Sequence, residues 1–306
     1  MPVEPPKIAV LLAAYNGMQW IEEQIASILE QLSVDITIYI SVDPSDDGTE
    51  AWCEAFAAAD SRVILLPPAG RFGGAARNFF RLIRDVDTQG YDAVAFADQD
   101  DIWHPDKLLR ATQELALQGV DAYSSNVTAF WPNGKKILLD KSQPQVAWDF
   151  LFEAAGPGCT YVLSGTLAMS LRQEVSRVWE PLQQVSLHDW YCYAFARSRG
   201  FKWFIDRRSS MLYRQHGNNQ MGANTGLSSL CQRYSTIHKG WWFKQVRTIA
   251  LLVGVDEAPF VKRWLKLRRR DLLLLSIQGK QCRRRPRDKF LFFFVCCLTA
   301  VAGKKR

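Results

Sequence analysis

The sequence predicts an α/β protein with a doubly wound sheet, on three observations. Short apolar runs bounded by turn residues alternate four times with segments of helical periodicity. The first run, residues 7–15, is apolar almost throughout, which is typical of a strand buried on both faces of a parallel sheet. Acidic residues cluster where two of the runs end. Because ligands of such sheets bind at the carboxyl ends of the strands, we expect the chemistry there.

The predicted elements follow one another in a regular order. Isoleucines and leucines recur at helical spacing between residues 21 and 32, directly after the first strand. The later elements are strands at 36–42, 62–66 and 93–97, with helices at 49–58 and about 75–83. A helix between successive strands is the connection that parallel strands require.

Composition and charge divide the chain into two regions. Of its 306 residues, 48% are apolar and 23% charged, which excludes disordered, collagen-like and small disulfide-stapled proteins. Residues 1–226 carry 19 Lys and Arg against 27 Asp and Glu, whereas residues 227–306 carry 19 against 4. The alternation of strand and helix also stops near residue 225. We therefore predict an α/β domain over residues 1–225 and a helical, basic C-terminal extension over residues 226–306.

The cysteines and the N-terminus both indicate a protein that is not exported. The seven cysteines are scattered without a Cys-x-x-Cys pair, so we expect reduced structural thiols, Cys159 among them. The first residues lack the basic and then apolar stretch of a secretory signal. The expected location is the cytoplasm.

The C-terminal extension ends in an apolar segment between cations. Residues 290–303 are uncharged, and their 14 positions fall short of the roughly 20 that a membrane-spanning helix needs. Arg and Lys residues flank them on both sides, which suits a segment lying on an anionic membrane surface. The alternative is a helix that packs on the body of the protein. We predict peripheral attachment to the cytoplasmic face of the inner membrane, with insertion or packing of 290–303 left open.

An acidic cluster follows the predicted strand at 93–97. Asp98, Asp100 and Asp101 lie within four positions, where ionised carboxylates need a compensating cation. Carboxylates suit Mg²⁺ or Mn²⁺, which complete their shells with water and phosphate oxygens. Taken alone, the cluster is better explained by Asp101 as a helix cap and the other two as solvated turn acids. The sequence has no Gly-rich phosphate loop of the dinucleotide-binding or P-loop kind.

Several motifs occur in a fixed order along the chain. They are Tyr15-Asn16-Gly17, residues 43–49, Arg77-Asn78, residues 98–103, residues 188–190 and residues 213–219. Together they resemble the family 2 glycosyltransferases of the GT-A fold, especially the bacterial rhamnosyltransferase-like branch. The resemblance spans roughly residues 7–225 and implies a Rossmann-like nucleotide-binding half within a mixed sheet.

The resemblance implies that a nucleotide-diphosphate sugar lies across the strand ends. Ala13 and Tyr15 would line the base and ribose, and Asp43 would accept a hydrogen bond from the pyrimidine ring. Asp98 would face the ribose. The remaining donor-binding candidates are Arg77, Gln99 and Arg214.

The same resemblance gives Asp100 a metal, Mg²⁺ or Mn²⁺, that bridges the diphosphate, and His216 would complete its shell. One loop departs from the family pattern. Where relatives commonly have Asp-Asp-Gly-Ser, this chain has Val42-Asp43-Pro44-Ser45, so one acid is missing and a proline stiffens the turn. The departure weakens the expected base contact and leaves the metal acid untouched.

Asp189 is the candidate general base. It falls in the first turn of a predicted helix, where the helix dipole and free N–H groups stabilise its anion. A capping acid is the alternative. Inverting glycosyl transfer needs one base to deprotonate the acceptor hydroxyl, and the resemblance puts Asp189 in that role. The candidates for the acceptor side are His188, Trp103 and Trp190, since each adjoins a motif acid and a tryptophan can stack on a sugar.

The predicted activity is inverting transfer of a sugar, rhamnose by branch resemblance, to a lipid-linked polysaccharide or lipopolysaccharide precursor. A UDP-sugar donor is the alternative within this class. A non-catalytic protein that binds nucleic acid or membrane through its basic tail is a rival, but it leaves the acidic strand ends unexplained; we expect no nucleic-acid partner. A sugar nucleotidyltransferase would need a Gly-rich basic loop where this chain has residues 13–16, and a catalytically silent relative remains open.

Overall fold

The computed structural model describes residues 4–216 and 240–302 of the chain. The predicted domain boundary at residues 225 and 226, the 217–219 part of the last motif and the cations of residues 304–306 lie outside these ranges. Within them, nine strands form one sheet. They are β1 (Lys7–Ala14), β2 (Asp35–Val42), β3 (Val63–Leu65), β4 (Ala93–Asp98), β5 (Ile102–Trp103), β6 (Ala122–Phe130), β7 (Lys136–Leu139), β8 (Val162–Ser164) and β9 (Trp203–Arg214).

The sheet is mixed, with a parallel half and a half that is mostly antiparallel. Its strand order is β3-β2-β1-β4-β8-β6-β9-β5, and β7 pairs with β6. The strands β1, β2, β3 and β4 pair only in parallel with one another. Strand β8 is antiparallel to both β4 and β6, and β5 is antiparallel to β9. The predicted mixed, doubly wound sheet is confirmed.

Helices cover both faces of this sheet. They are α1 (Ile21–Leu29), α2 (Thr49–Ala59), α3 (Ala75–Asp85), α4 (Lys107–Gln118), α5 (Gly165–Arg177), α6 (Trp179–Leu182) and α7 (His188–Ser198). The helices predicted at 49–58 and 75–83 correspond to α2 and α3 within two residues at each end. Two short 3₁₀ turns, Asp149–Leu151 and Gly158–Thr160, connect the later elements.

Strand β1 separates two hydrophobic cores. Ala9 and Leu11 belong to the core that contains buried residues of α3, α5 and α7. Ile8 and Val10 belong to the opposite core, which contains buried residues of α1, α2 and α4. Successive side chains of a strand point to opposite faces, so a strand covered on both sides must be apolar at every position. This explains the unbroken apolar run from which the sequence predicted the strand.

Every regular element described after residue 240 is a helix, as predicted. These helices are α8 (Trp241–Leu252), α9 (Pro259–Lys262), α10 (Arg269–Ser276), α11 (Gly279–Cys282) and α12 (Pro286–Ala302). Phe292, Cys296 and Ala300 of α12 are buried in the core shared with α3 and α7. One face of α12 therefore packs on the body. Among the described residues, no helix combines the length and the hydropathy needed to cross a membrane.

A buried ion network fixes the C-terminal helices to α7. Asp149, fully buried, accepts hydrogen bonds from the Tyr193 hydroxyl at 3.0 Å and from Arg197 at 3.2 Å, both on α7. Arg284, just before α12, lies 3.6 Å from the same carboxylate and donates to the Ala154 carbonyl at 2.6 Å. Removing one member of such a network leaves a buried charge without its partner, which typically costs about 3–5 kcal/mol. The extension and α7 thus share one anchor.

Candidate functional site

The ends of β1, β2 and β4 lie side by side at one edge of the sheet. Ala13 of β1 is paired with Asp98, the last residue of β4, in the parallel ladder. The N–H of Asp43, directly after β2, donates to the carbonyl of Ala14 at 2.8 Å. The predicted donor-site residues Ala13, Asp43 and Asp98 are therefore neighbours at the carboxyl ends of the strands.

Gln99 closes the end of β1. Its side-chain amide accepts a hydrogen bond from the N–H of Tyr15 at 2.7 Å and donates one to the Tyr15 carbonyl at 2.8 Å. A Cβ on Gly17 would lie 2.3 Å from Gln99 Oε1, so glycine is the residue that fits there. The ring of Tyr15 remains exposed, with the Arg71 guanidinium 6.0 Å from its centroid. Gln99 shapes the loop that presents Tyr15, and its predicted contact with the donor stays a prediction.

Asp43 holds a loop in this structure. It is 3% exposed, and its two carboxylate oxygens accept from the N–H groups of Phe72 at 2.7 Å and Gly73 at 2.9 Å. Each carboxylate oxygen can accept a further hydrogen bond, so the pyrimidine contact expected for Asp43 stays a prediction. Arg77 is exposed and donates to the carbonyls of Phe72 at 3.4 Å and Gln183 at 3.3 Å. Both residues therefore order the loop beside the strand ends.

The carboxylates of the site influence one another. Burial, together with Asp100 and Asp189, raises the pKa of Asp98 to about 7. Burial, together with Asp100 and Asp98, raises the pKa of Asp101 well above its usual value. Such shifts arise where carboxylates are crowded into a poorly solvated place, and they are common at functional sites.

Asp100 and His216 meet directly. Nε2 of His216 lies 2.7 Å from Oδ2 of Asp100, and the imidazole stacks on the Trp20 ring at a centroid distance of 4.0 Å. Arg214 donates from Nε to the Asp100 carbonyl at 2.8 Å, and its guanidinium also contacts Glu23. The structure thus brings together the two residues predicted to bind a metal, and it places Arg214 beside them.

The pairing of β5 with β9 explains this meeting. Ile102 lies opposite Leu212 in the antiparallel ladder, so the residues before β5 and after β9 lie next to each other. The N–H of Arg214 donates to Oδ1 of Asp101 at 3.2 Å, which extends the contact beyond the ladder. The pairing of the two-residue strand β5 with β9 thereby places His216, which follows β9, beside the acidic cluster.

A second group of potential ligands lies deeper. One oxygen each of Asp98 and Asp101 and the sulfur of Cys159 lie within 4.8 Å of one another. Burial raises the pKa of the Cys159 thiol well above its usual value, with the two acids adding to the rise. A protonated thiol is a poor ligand for a hard cation such as Mg²⁺. Asp100 and His216, which are partly exposed, are the better pair for a metal.

Trp103 is buried against a lysine. It is 2% exposed, and the Lys107 ammonium nitrogen lies 3.1 Å from its ring centroid. The expectation that Trp103 faces an acceptor is therefore wrong for this structure, because its ring is enclosed in the core that contains residues of α1 and α4. Nζ of Lys107 also donates to the Cys159 carbonyl at 2.6 Å. No local sequence signal reveals this contact, because Trp103 lies on β5 and Lys107 begins α4.

Asp189 lies in the first turn of α7, as predicted. It is partly exposed, and its Oδ1 accepts from the N–H of Trp190 at 2.7 Å. Burial raises its pKa to about 6, opposed by this hydrogen bond and by Lys141. Asp189 contributes to the raised pKa of Asp98, so the two carboxylates are close enough to interact electrostatically. A carboxylate that titrates near neutrality can accept a proton at physiological pH.

The two residues that flank Asp189 face the core. His188 is buried, stacks on Phe79 at a centroid distance of 3.9 Å, and has its pKa lowered to about 3 by burial. Trp190 is 3% exposed, and its Nε1 donates to the Phe150 carbonyl at 3.0 Å. Neither side chain offers a surface to an acceptor, which corrects the expectation for both. They fix the start of α7 and so the position of Asp189.

Comparison with known proteins identifies the family. The sequence profile of "Glycosyl transferase family 2" matches residues 9–175. The chain belongs to this family. It is 43% identical over 288 residues to the dTDP-rhamnosyl transferase RfbG of Shigella flexneri, covering 94% of this chain and 99% of that protein. It is 28% identical over 163 residues to the UDP-Glc:alpha-D-GlcNAc-diphosphoundecaprenol beta-1,3-glucosyltransferase WfgD of Escherichia coli, covering 52% of this chain and 61% of WfgD.

Solved structures confirm the GT-A-type fold. The chain matches S. aureus TarS 1-349 in complex with UDP at a TM-score of 0.58 and 11% identity, covering 97% of this chain and 88% of that one. It matches the mannosyltransferase PcManGT from Pyrobaculum calidifontis, in complex with GDP-Man and Mn²⁺, at a TM-score of 0.51 and 14% identity, covering 97% and 87%. The chain is thus a rhamnosyltransferase-like glycosyltransferase of family 2.

Proposed function

We propose that this glycosyltransferase moves a sugar, with inversion, from a nucleotide-diphosphate donor to a lipid-linked polysaccharide or lipopolysaccharide precursor. The main support is the 2.7 Å contact between His216 and Asp100. Asp98 lies beside this pair and interacts electrostatically with both Asp100 and Asp189. One side of this arrangement suits a cation and diphosphate, and the other offers a base. Inverting transfer of a glycosyl group from a diphosphate can use both features.

Asp100 and His216 fit Mg²⁺ or Mn²⁺. Each offers one hard or intermediate ligand atom from a partly exposed position, and two protein ligands leave room for water and phosphate oxygens. When bound, the metal neutralises the charge that develops on the departing diphosphate. The chain's own part is to hold the two ligand side chains together: the Trp20 ring orients the imidazole, and the β5–β9 pairing orients the Asp100 backbone.

Asp189 acts as the general base. Its pKa of about 6 leaves it mostly ionised at neutral pH, yet basic enough to accept a proton from an acceptor hydroxyl. The oxygen that loses this proton attacks the anomeric carbon as the bond to the diphosphate breaks, so the configuration inverts. Trp190 and His188 hold the first turn of α7 by their buried contacts and keep the carboxylate in place.

The donor site combines an exposed ring with an ordered loop. Tyr15 presents its ring at the end of β1, and Asp43 and Arg77 stabilise the loop at Phe72 and Gly73 from two sides. A pyrimidine nucleotide fits the resemblance and the donors after which the relatives are named, dTDP-rhamnose for RfbG and UDP-glucose for WfgD. We favour dTDP-rhamnose because the RfbG likeness covers nearly the whole chain.

A donor panel tests the proposal. The purified full chain is incubated with dTDP-rhamnose, UDP-glucose, UDP-GlcNAc and GDP-mannose, with Mn²⁺, with Mg²⁺ or with EDTA, and with lipid-extracted acceptors. Release of the nucleoside diphosphate from dTDP-rhamnose, abolished by EDTA, supports the proposal. Release from a UDP-sugar alone would show that the donor is a UDP-sugar and not dTDP-rhamnose. Acceptor-dependent turnover that EDTA leaves unchanged would show that the reaction needs no metal.

The C-terminal helices support peripheral attachment to the cytoplasmic face of the membrane, where a lipid-linked acceptor would be met. Helix α10 exposes Leu273, Leu274 and, just after it, Ile277, a stripe with helical spacing. Helix α12 exposes a second apolar stripe on the side away from its buried face. Its members are Phe290, Leu291, Phe294, Leu298 and Val301.

Cations accompany both stripes. Arg269 and Arg270 begin α10 and lie in the same stripe as its exposed leucines. On α12, the exposed Arg287 lies one turn before the exposed Phe290. Exposed apolar side chains next to cations match the interfacial region of an anionic bilayer. We therefore propose that residues 1–225 carry out catalysis and that residues 226–306 contact the membrane. The ion network around Asp149 joins the two parts.

A further inference from the structure

Lys107 occupies an unusual place for a lysine. It is 1% exposed at the start of α4, beneath the acidic strand end. Its amine donates to the Cys159 carbonyl at 2.6 Å and lies 3.1 Å from the Trp103 ring centroid. Burying a lysine amine carries a large desolvation cost, so an apolar side chain would be the simpler filling for this space. The amine needs an explanation that packing does not give.

The carbonyl that Lys107 binds belongs to a tight turn. The Gly158–Thr160 turn is closed by two backbone hydrogen bonds, from Thr160 to Pro157 at 3.0 Å and from Tyr161 to Gly158 at 2.9 Å. Directly after it, the Tyr161 carbonyl accepts from the N–H of Phe96 at 3.1 Å, which ties the turn to β4. The Lys107 amine is a further side-chain anchor for the same turn, through the Cys159 carbonyl.

This turn touches the candidate base. A Cβ placed on Gly158 would lie 2.5 Å from Nε2 of His188 and 3.1 Å from Cβ of Asp189. The start of α7 therefore rests on the Gly158 backbone with no space between them. The contacts form a continuous path: the Lys107 amine, the Cys159 carbonyl, Gly158, and the first turn of α7 with Asp189.

We infer that Lys107 is a positioning residue that sets the place of Asp189 by anchoring the Gly158–Thr160 turn. The inference rests on the proposed role of Asp189 as the base. In the described part of the chain, the Lys107 amine has no hydrogen bond or ion pair with Asp100, His216 or Tyr15, although its charge acts on the buried acids Asp98 and Asp101. Both the charged and the neutral amine can donate the hydrogen bond to Cys159. Losing the anchor should therefore impair proton abstraction and spare donor and metal binding.

Three variants test this inference in the full chain. Lys107→Met keeps the length of the side chain and removes the donor, whereas Lys107→Arg and Lys107→Gln retain N–H groups. Hydrogen exchange measured by mass spectrometry reports on the turn through the amides of Thr160 and Tyr161. Turnover with the active donor gives kcat and KM, and Mn²⁺ titration by electron paramagnetic resonance gives metal affinity. Thermal unfolding shows whether each variant is folded.

Lys107→Met is expected to accelerate exchange in residues 157–164 at least about fivefold and to leave β2 and β3 unchanged. Its kcat should fall between about tenfold and a hundredfold, the effect of misplacing a catalytic group by about 1 Å. Donor KM and Mn²⁺ affinity should stay within about twofold, and Lys107→Arg or Lys107→Gln should recover part of the kcat.

Unchanged exchange in residues 157–164 overturns the inference, whatever the enzyme's donor. A parallel loss of Mn²⁺ affinity, or uniformly faster exchange over the whole sheet, would also overturn it, because the lysine would then support the fold in general. If wild type releases no nucleoside diphosphate from any donor, the proposed function fails, and the exchange experiment still decides whether Lys107 anchors the turn.

Discussion

The imidazole of His216 lies 2.7 Å from the carboxylate of Asp100, although 116 positions separate the two residues in the chain. The short β5–β9 ladder and the ring of Trp20 hold them in contact. At this distance the two groups share a hydrogen bond, which brings a carboxylate oxygen and an imidazole nitrogen, both ligand types for Mg²⁺ or Mn²⁺, to one place.

Replacing either residue should remove most of the affinity for Mn²⁺. We expect Asp100→Ala and His216→Ala each to weaken Mn²⁺ binding at least about tenfold, because each supplies one ligand atom. If both residues bind one ion, the double variant should bind Mn²⁺ only slightly more weakly than the single variant with the lower affinity, since effects on a shared partner do not add. Titration followed by electron paramagnetic resonance measures all three affinities.

Asp46→Ala is the matched control for this prediction, because Asp46 is an exposed acid in the loop after β2. It should bind Mn²⁺ as wild type does. Equal affinities for wild type, Asp100→Ala and His216→Ala would move the metal elsewhere, with the deeper group of Asp98, Asp101 and Cys159 as the next place to examine.

The base predicts a specific pH dependence. Since burial raises the pKa of Asp189 to about 6, the fraction of ionised base, and with it kcat, should rise between about pH 5 and 7 and then level off. Asp189→Asn should lower kcat by about 10²–10⁴-fold and abolish this rise, while donor binding persists. Steady-state kinetics across pH, with donor affinity from calorimetry, provides the measurement.

The control is Asp87→Asn, which removes an exposed carboxylate that pairs with Arg172. It should retain the wild-type profile. A rise with midpoint near 6 that survives in Asp189→Asn would assign the titration to another group, and full activity of Asp189→Asn would exclude it as the base.

His188 makes the stability depend on pH. Burial lowers its pKa from an ordinary value near 6.5 to about 3, so between these values the unfolded state binds the extra proton. The contribution of the neutral imidazole is therefore complete above about pH 6.5 and is lost as the pH falls toward 3. His188→Gln should lower stability at pH 7.5, because it loses the stack on Phe79, but this deficit should shrink at pH 5 by up to about 2 kcal/mol.

Urea unfolding of both proteins at the two pH values measures this difference. Other groups, such as Asp98, affect wild type and variant alike and cancel in the comparison. A deficit that stays constant from pH 7.5 to pH 5 would show that His188 is protonated in the folded state, contrary to its buried position.

The parallel half of the sheet could be predicted from the sequence because its signals are local. Residues 7–14 are buried on both faces, so the apolar run itself reports the strand. The carboxylates after β2 and β4 follow from the same reasoning, because parallel strands bring their carboxyl ends to one edge. The bounds of α2 and α3 were predicted closely for the same local reasons.

The other half depends on contacts between distant residues. Strand β5 has two residues, Ile102 and Trp103, and only its pairing with β9 makes it a strand. The roles predicted for residues near the acidic cluster, such as Trp103, also rested on the residue type alone. A tryptophan beside an acid fits a sugar platform or a core position equally well, and only the burial of Trp103 against Lys107 decides between them.

We expect membrane binding to depend on both exposed apolar stripes, the one on α10 and the one on α12. Deleting residues 280–306 would be a poor test, because Arg284 and Phe292 are buried in the body of the protein. Substitutions on the exposed faces avoid this problem. We expect Leu273→Glu/Leu274→Glu on α10 and Phe290→Glu/Phe294→Glu on α12 each to weaken binding to vesicles at least about tenfold, because each apolar side chain contributes roughly 1.5–3 kcal/mol when buried.

Sedimentation with sucrose-loaded vesicles measures the effect, with phosphatidylglycerol as about a third of the lipid in one set and phosphatidylcholine alone in the other. Leu117→Glu is the matched control, since Leu117 is an exposed leucine on α4, away from the C-terminal helices. It should sediment as wild type does. Binding that needs anionic lipid and falls with salt fits the cations of both helices. If the α10 variant binds fully and only the α12 variant fails, the membrane contact belongs to α12 alone; if neither loses binding, these helices do not form the contact.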